Sequence, residues 1–335
     1  MRTPFSPPAL AKLDRRQLLL AGGAGVAAHL LAASPAHAQA SYPSQAIKVV
    51  VPFGPGGLAD ISTRLIGQKV GEKLGQQVLA DNRPGAGGVA AATAVLAAPA
   101  DGHTLILFSN GTAIAKSLIK LSYDPQADFL PVSSMAYFDL NLLVGKDSKI
   151  TDLKGLLAEG AKRPLTLGTI NPGSTQHLSA ELFRSVAKLG NATLIPFKTS
   201  GEVQLALQRG DIDLGFESYA ALRSGIDAGS LRALATTGPS RTSWLPQVPT
   251  VKEAGLPDYE VTGWNALYAP KGTPAAVIEA LSQAVREVIA APDMRKRLTD
   301  LGVEPRSSTP AEMAAVFERD RRKWAQVIQQ ANIKA

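Results

Sequence analysis

Two loops hold the residues best suited to chemistry in this sequence. Phe53-Gly54-Pro55-Gly56-Gly57 and Asn171-Pro172-Gly173-Ser174-Thr175 each sit between a strand-like run and a helical pattern. The first amides of a helix have no internal partners, and the helix dipole adds partial positive charge there. Glycine lets the main chain approach a ligand closely. Such a turn can hold a carboxylate or phosphate without any charged side chain. In open α/β sheets ligands sit at the carboxyl ends of strands, where both loops fall. Two such ends on opposing lobes could grip a molecule with an anionic group at each end. Ordinary βα turns also use Gly and Pro, so spacing alone leaves both readings open.

Acid–base and metal chemistry find little support. The chain has no cysteine, which removes disulfides, thiol catalysis, iron–sulfur ligation and a lipoprotein anchor. Beyond the first forty residues the histidines are His103 and His177. No cluster of His or carboxylate has ligand spacing, so neither a metal nor a cofactor is expected. Neither G-x-S-x-G nor H-E-x-x-H occurs. His177 could act as a base beside Ser174, but at a helix start it reads better as a loop-fixing or ligand-contacting residue. Asp60 lies in a first helical turn, where an acid complements the dipole; the alternative is contact with a ligand amine, hydroxyl or bridging water. Glu217 ends a strand-like run and could face a cleft. Gly85-Ala86-Gly87-Gly88-Val89-Ala90 matches a dinucleotide fingerprint. Pro84 precedes it and no acid ends a second strand at the right distance, so a nucleotide site is not expected.

The elements that position these loops alternate strand and helix. Ile47-Lys48-Val49-Val50-Val51 reads as a buried strand. Ile61, Leu65, Ile66, Val70 and Leu74 form the apolar stripe of the helix after the first loop. Further strands are predicted at residues 78–80, 105–108, 165–168, 193–195, 214–216, 231–235 and 264–268, and a small-residue helix at 88–97. Leu178, Leu182, Phe183, Val186 and Leu189 make a second stripe after the second loop. The Pro-rich residues 239–257 read as an extended surface segment. Two helices close the chain, the last carrying Met313, Phe317, Trp324 and Ile328. This alternation argues for parallel sheets with helices on both faces. At 335 residues the chain exceeds what one core usually holds, and its two similar βαβ halves imply two lobes.

The first forty residues are of another kind. Arg2, Lys12, Arg15 and Arg16 precede an apolar run at 18–33, and Ala36-His37-Ala38 supplies an A-x-A cleavage pattern. Residues 1–38 are therefore expected to be a cleaved export signal, although Ala38-Gln39-Ala40 fits almost as well. The run is too short for a membrane span and contains Gly22, Gly23, Gly25 and His29. Arg15-Arg16-Gln17-Leu18-Leu19 resembles a twin-arginine signal, while Asp14 and Leu20 depart from it, so both export routes stay open. Removal of the leader lowers the formal charge from +7 to +4. With no basic stripe and interleaved aromatics, nucleic acid is not an expected partner. The mild positive balance suits a small acidic ligand.

Several segments together resemble the tripartite tricarboxylate transporter receptors, the Bug family of periplasmic binding proteins. They are Pro52-Phe53-Gly54-Pro55-Gly56-Gly57-Leu58-Ala59-Asp60, Asp81-Asn82-Arg83-Pro84-Gly85-Ala86-Gly87-Gly88 and Pro99-Ala100-Asp101-Gly102-His103-Thr104-Leu105. Gly210-Asp211-Ile212-Asp213, Leu245-Pro246-Gln247-Val248-Pro249-Thr250-Val251-Lys252-Glu253-Ala254-Gly255 and Ala269-Pro270-Lys271-Gly272-Thr273-Pro274 follow in order. The resemblance runs from about Tyr42 to the C-terminus. It implies an α/β, two-lobed, type II periplasmic-binding-protein-like fold (a Venus flytrap), each lobe a mostly parallel sheet with helices on both faces. Lobe I would comprise residues 41–141 and 264–335, and lobe II residues 142–263, with one crossing within Asn141 to Val144 and another within Trp264 to Ala269.

By position, the resemblance makes Phe53, Gly54, Pro55, Gly56 and Gly57 with Asp60 one pincer on a carboxylate. Asn171, Gly173, Ser174, Thr175 and His177 make the other, with Ser109, Asn110, Phe197 and Glu217 facing the same cleft. It implies a monomeric periplasmic receptor that delivers a small carboxylate to the permease subunits of a tripartite tricarboxylate-type transporter, or that signals to a sensor kinase. A hydrolase or isomerase using His177 and Asp60 is the competing enzymatic reading. Thr199, Phe216-Glu217-Ser218 and Ala266 depart from common family residues at expected cleft positions. A carboxylate at Glu217 should turn the site away from a second bare carboxylate and toward an amine or hydroxyl, because like charges repel in a desolvated cleft.

Overall fold

The computed structural model describes residues 42–115 and 117–330; the expected export signal at residues 1–38 lies outside the described residues. Nine strands are present among them: β1 (Ile47–Val51), β2 (Val78–Asn82), β3 (Thr104–Ser109), β4 (Phe129–Gly145), β5 (Thr166–Ile170), β6 (Thr193–Phe197), β7 (Leu214–Ser218), β8 (Leu231–Thr236) and β9 (Thr262–Pro270). They run in the order β2-β1-β3-β9-β4-β7-β5-β6, with β8 paired to β4. The helices used below are α1 (Leu58–Leu74), α2 (Val89–Leu96), α3 (Asn110–Ala115), α4 (Leu153–Gly160), α5 (Thr175–Val186), α6 (Ser200–Arg209), α7 (Tyr219–Asp227), α8 (Ala275–Ala290), α9 (Pro292–Asp300) and α10 (Pro310–Gln330).

The parallel pairs expected from βαβ alternation occupy the outer strands. β1 pairs in parallel with β2 and β3, and β5 with β6 and β7. Toward the middle the sheet is antiparallel, through β3–β9, β4–β9, β4–β7 and β4–β8. The 17-residue β4 joins the two halves: it pairs with β9 as far as Asp139 and with β7 from Leu140 onward. Sequence periodicity did not mark β4 as a strand. It is buried along nearly its whole length, so it has no polar alternation. Two register shifts, between Pro131 and Ser133 and between Ser134 and Ala136, absorb its irregular stretch.

Each half has its own core. Phe108, Phe129, Trp264, Tyr268 and Phe317 pack together in the first; Phe183, Phe216 and Tyr259 anchor the second. α10 serves both, placing Met313 and Phe317 in the first core and Trp324 in the second. The Trp264 indole donates to Asp320 Oδ2 on α10 at 2.7 Å, which satisfies a buried N–H. The stripe expected on α1 is shifted. Its buried residues include Ser62, Thr63, Ile66, Gly67, Val70 and Gly71, while Ile61, Leu65 and Leu74 are partly exposed. Small residues win this face because β2 lies close: a Cβ on Gly67 would stand 2.9 Å from Val78 Cγ1.

Where the halves meet, side chains stitch neighbouring segments. The Thr237 hydroxyl accepts from Leu140 N at 2.8 Å and donates to Val261 O at 2.6 Å. Thr262 Oγ1 donates to Asp139 Oδ1 at 2.8 Å. Burial pushes the Asp139 carboxyl up to about 6, aided by Glu304 and Glu260 and opposed by the Thr262 bond. Its native pKa thus lies above the ordinary 3.8, so between pH 4 and 6 the native state holds more protons than the unfolded state. Stability from this group falls as pH rises through that window, by roughly 2–3 kcal/mol in all. Asp139→Asn is expected to be more stable than wild type at pH 7.5 and to lose that fall; melting curves between pH 4 and 7.5 check this, and parallel profiles would contradict it.

Candidate functional site

The carboxyl ends of the strands converge on a small cavity between the two halves. Phe53, Gly54, Gly57, Leu58 and Ala59 form one wall, with Ser109 at the end of β3, Phe138 on β4 and Asn265 on β9. Ile170, Thr175, Gln176, Lys198, Thr199 and Ser200 form the other. The remaining space is about 20 Å³, room for roughly one water. The halves are therefore drawn together around it. A second space of about 10 Å³ adjoins, lined in part by Phe53, Gly87, Asn171, Gly173 and Ser174.

Three helices begin at this cavity. α1 starts after Gly57, whose backbone is extended and whose first turn has no side-chain cap. Asp60 braces the loop before it. Its Oδ2 accepts from Gly56 N at 3.0 Å and its Oδ1 from Arg64 Nε at 2.9 Å. Arg64 also donates to Asn82 Oδ1, and Asn82 Nδ2 donates to Phe53 O. Burial alone would raise the Asp60 pKa, but Arg64, the Gly56 amide and Asn82 outweigh it and hold the carboxyl below its ordinary value. Gly56, at φ 78°, takes the left-handed conformation that closes the turn.

α5 begins at Ser174, which accepts from His177 N at 3.1 Å and donates to Ile170 O at 2.9 Å. His177 Nδ1 accepts from Gly173 N at 3.4 Å, so the imidazole braces the loop. Burial first, then Arg184, depresses the His177 pKa, favouring the neutral ring that this bond requires. α6 begins at Thr199, which accepts from Glu202 N at 3.2 Å. The first amides of all three helices lack intrahelical partners and carry the positive end of the dipole.

Main chain from the two halves meets only because glycine is present. A Cβ on Gly111 would lie 2.4 Å from Gly173 O, and one on Gly54 would lie 2.8 Å from Lys198 O. Gly87 N donates to Pro172 O at 3.3 Å, and Thr175 Oγ1 donates to Asn110 Oδ1 at 2.5 Å. Behind the wall, Glu217 is fully buried and is held by Ser200, Gln176 and Ser218. Burial pushes its pKa up, and those donors offset part of the rise. Ser109 and Asn265 line the cavity, and among the described residues the buried Ser109 Oγ and Asn265 Nδ2 have no hydrogen-bond partner. Buried polar atoms are rarely left this way, and both can donate to a ligand.

The residues singled out from sequence separate into two groups. Phe53, Gly54, Gly57, Ser109 and Thr175 line the main cavity, and Asn171, Gly173 and Ser174 line the adjoining one. Pro55, Gly56, Asp60, Asn110, His177, Phe197 and Glu217 are not among the main wall residues; Asp60, Asn110, His177 and Glu217 bond to the loops and side chains that are. Sequence reasoning missed Leu58, Ala59, Phe138, Ile170, Gln176 and Ser200. Thr199-Ser200-Gly201-Glu202 has the spacing of a capping box and would have marked the third helix start.

This geometry, two halves closing on a cavity fed by helix starts, is that of a two-lobed solute-binding protein. The family model for the tripartite tricarboxylate transporter family receptor matches residues 62–333, and the chain belongs to that family of solute-binding receptors, which are not enzymes. A curated relative from Pseudomonas sp. (strain P51), a UPF0065 protein in the tcbD-tcbE intergenic region, is 34% identical over 333 residues and covers 98% of each chain. R. palustris Rpa4515 with adipate superposes with TM-score 0.83 at 33% identity, covering 88% of this chain and 99% of that one. MatC (Rpa3494) from Rhodopseudomonas palustris with bound malate gives TM-score 0.80 at 33% identity, covering 86% and 100%.

The close approach of the halves depends on the bare Cα of Gly111. Gly111→Ala is expected to weaken ligand binding at least tenfold, since its methyl would strike Gly173 O in the closed form. The ligand-free melting temperature should hold, because alanine suits a helix better than glycine. Titration calorimetry beside melting curves checks both; unchanged affinity would contradict closure to this extent.

Proposed function

We propose that this protein is a periplasmic receptor that captures a small carboxylate by closing its lobes and presents the closed form to the permease subunits of a tripartite tricarboxylate-type transporter. Lobe I comprises residues 41–141 and 264–335, lobe II residues 142–263, and residues 1–38 are the export signal. One observation carries the reading. Three helix starts, with Ser109 and Asn265 and their unpartnered buried donors, surround a cavity whose wall, among the described residues, holds no acidic side chain. Such a surface favours an anion. Ligand contacts to both lobes stabilise the closed state, which gives the membrane partner a form to recognise. The carboxylates in the two R. palustris structures, adipate and malate, support the ligand class.

The enzymatic alternative loses ground on geometry. Asp60 is engaged by Gly56 and Arg64, and His177 Nδ1 by Gly173. Neither is among the residues lining the main cavity.

A thermal-shift panel of dicarboxylates, hydroxy acids, acidic amino acids and aromatic acids tests the proposal. At least one acid, at a hundred times its Kd, is expected to add about 2.7 kcal/mol of stability and raise Tm by several degrees. That acid should be recovered chemically unchanged. A panel with no shift, or conversion of the ligand, would overturn the reading.

A further inference from the structure

Glu217 is 0% exposed and its carboxylate is ringed by donors. Ser200 Oγ donates to Oε1 at 2.8 Å and Gln176 Nε2 to the same oxygen at 3.3 Å. Ser218 N donates to Oε2 at 2.7 Å, and Ser218 Oγ lies 3.4 Å from it. Glu217 is the acceptor in all four contacts, and four donors fill the capacity of a carboxyl group's two oxygens. This fixes the orientation of two wall residues. Gln176 turns its NH₂ toward Glu217 and commits one of its two hydrogens there, which sets the carbonyl oxygen on the opposite side of the amide as the group it presents to the cavity that it lines. The Ser200 hydroxyl likewise commits its only proton to Glu217 and can offer a ligand only lone pairs.

The cavity is thereby polarised. Ser109 and Asn265, each with an unpartnered buried donor, line one side, while the side chains of Gln176 and Ser200 bring acceptors from the other. A bare carboxylate set against these two side chains, rather than against the helix amides beside them, would face oxygen with oxygen. A hydroxyl or an ammonium there would find partners, and desolvated acceptors left without a donor are costly.

We propose that Glu217 is a specificity-determining positioning residue: by drawing the protons of Gln176 and Ser200 behind the wall, it makes the site select a carboxylate whose neighbouring carbon carries a hydroxyl or ammonium over the unsubstituted diacid. This rests on the carboxylate-receptor reading and deepens it. Glu217 does not touch the ligand; it acts through two side chains that do.

Two matched ligand sets measure the effect by titration calorimetry: succinate, malate and aspartate, then glutarate, 2-hydroxyglutarate and glutamate. For wild type, the best hydroxy or amino acid of at least one set is expected to bind about tenfold tighter than its unsubstituted diacid, the contribution of one hydrogen bond. Glu217→Gln adds a donor to a cluster already full of them. Gln176 then turns its NH₂ toward the cavity, and the preference should vanish or reverse. Gln176→Met removes the acceptor without touching Glu217 and should bring the ratio near one, which keeps the proposal testable if Glu217→Gln fails to fold. A purely structural role for Glu217 would weaken all members of a set alike and leave the ratio unmoved, which overturns the proposal. So would wild-type preference for the plain diacids. Binding of no carboxylate at all, within these sets or the broader panel, would sink the receptor reading and this proposal with it.

Discussion

A helix cannot satisfy its own first amides, and the site is built on that constraint. α1, α5 and α6 each follow a strand directly, so their uncapped or partly capped first turns arrive at the same edge of the sheet. Their dipoles supply positive potential from main chain already fixed in place. A lysine or arginine in the same role would have to be desolvated before it could attract a ligand. Each charge-assisted bond from an amide contributes roughly 1.5–3 kcal/mol, enough in combination to outweigh the cost of stripping water from a carboxylate.

The rest of the structure sets how closely those helix starts approach. β4 carries the chain from one half to the other without a break, and α10 packs into both cores. Glycines at 54 and 111 remove the side chains that would hold the halves apart. Asp60 and His177 brace the turns from behind, and Ser174 and Thr199 cap their helices from within the walls. These residues bear the polar groups that a catalytic reading would seize on, yet Asp60, the Ser174 hydroxyl and His177 Nδ1 are engaged within the loops and helices themselves. The contrast between braces and wall separates binding from catalysis here.

Much of this was legible in the sequence, and the failures have physical causes. Strands β1, β3, β5 and β7 announce themselves through short apolar runs ended by Gly, Pro or polar residues. β4 does not, because a strand buried on both faces shows no alternation and its bulges break the period. The α1 stripe was misplaced because close packing on β2 prefers Gly67 and Gly71 to larger apolar residues. The two Gly-rich loops were visible through composition. Gln176 and Ser200 were not, since a wall residue differs from its neighbours only by where closure puts it. Asp60, His177 and Glu217 were noticed for their chemistry, but sequence alone could not tell a ligand contact from a brace one layer behind.

A crystal structure with the tightest-binding acid would test the central claim most directly. The account requires carboxylate oxygens about 2.7–3.1 Å, or one bridging water, from first-turn amides of α1 on one lobe and of α5 or α6 on the other. An acid seated on a single lobe, or held outside the cleft by lysine or arginine side chains with the helix starts still hydrated, would contradict it.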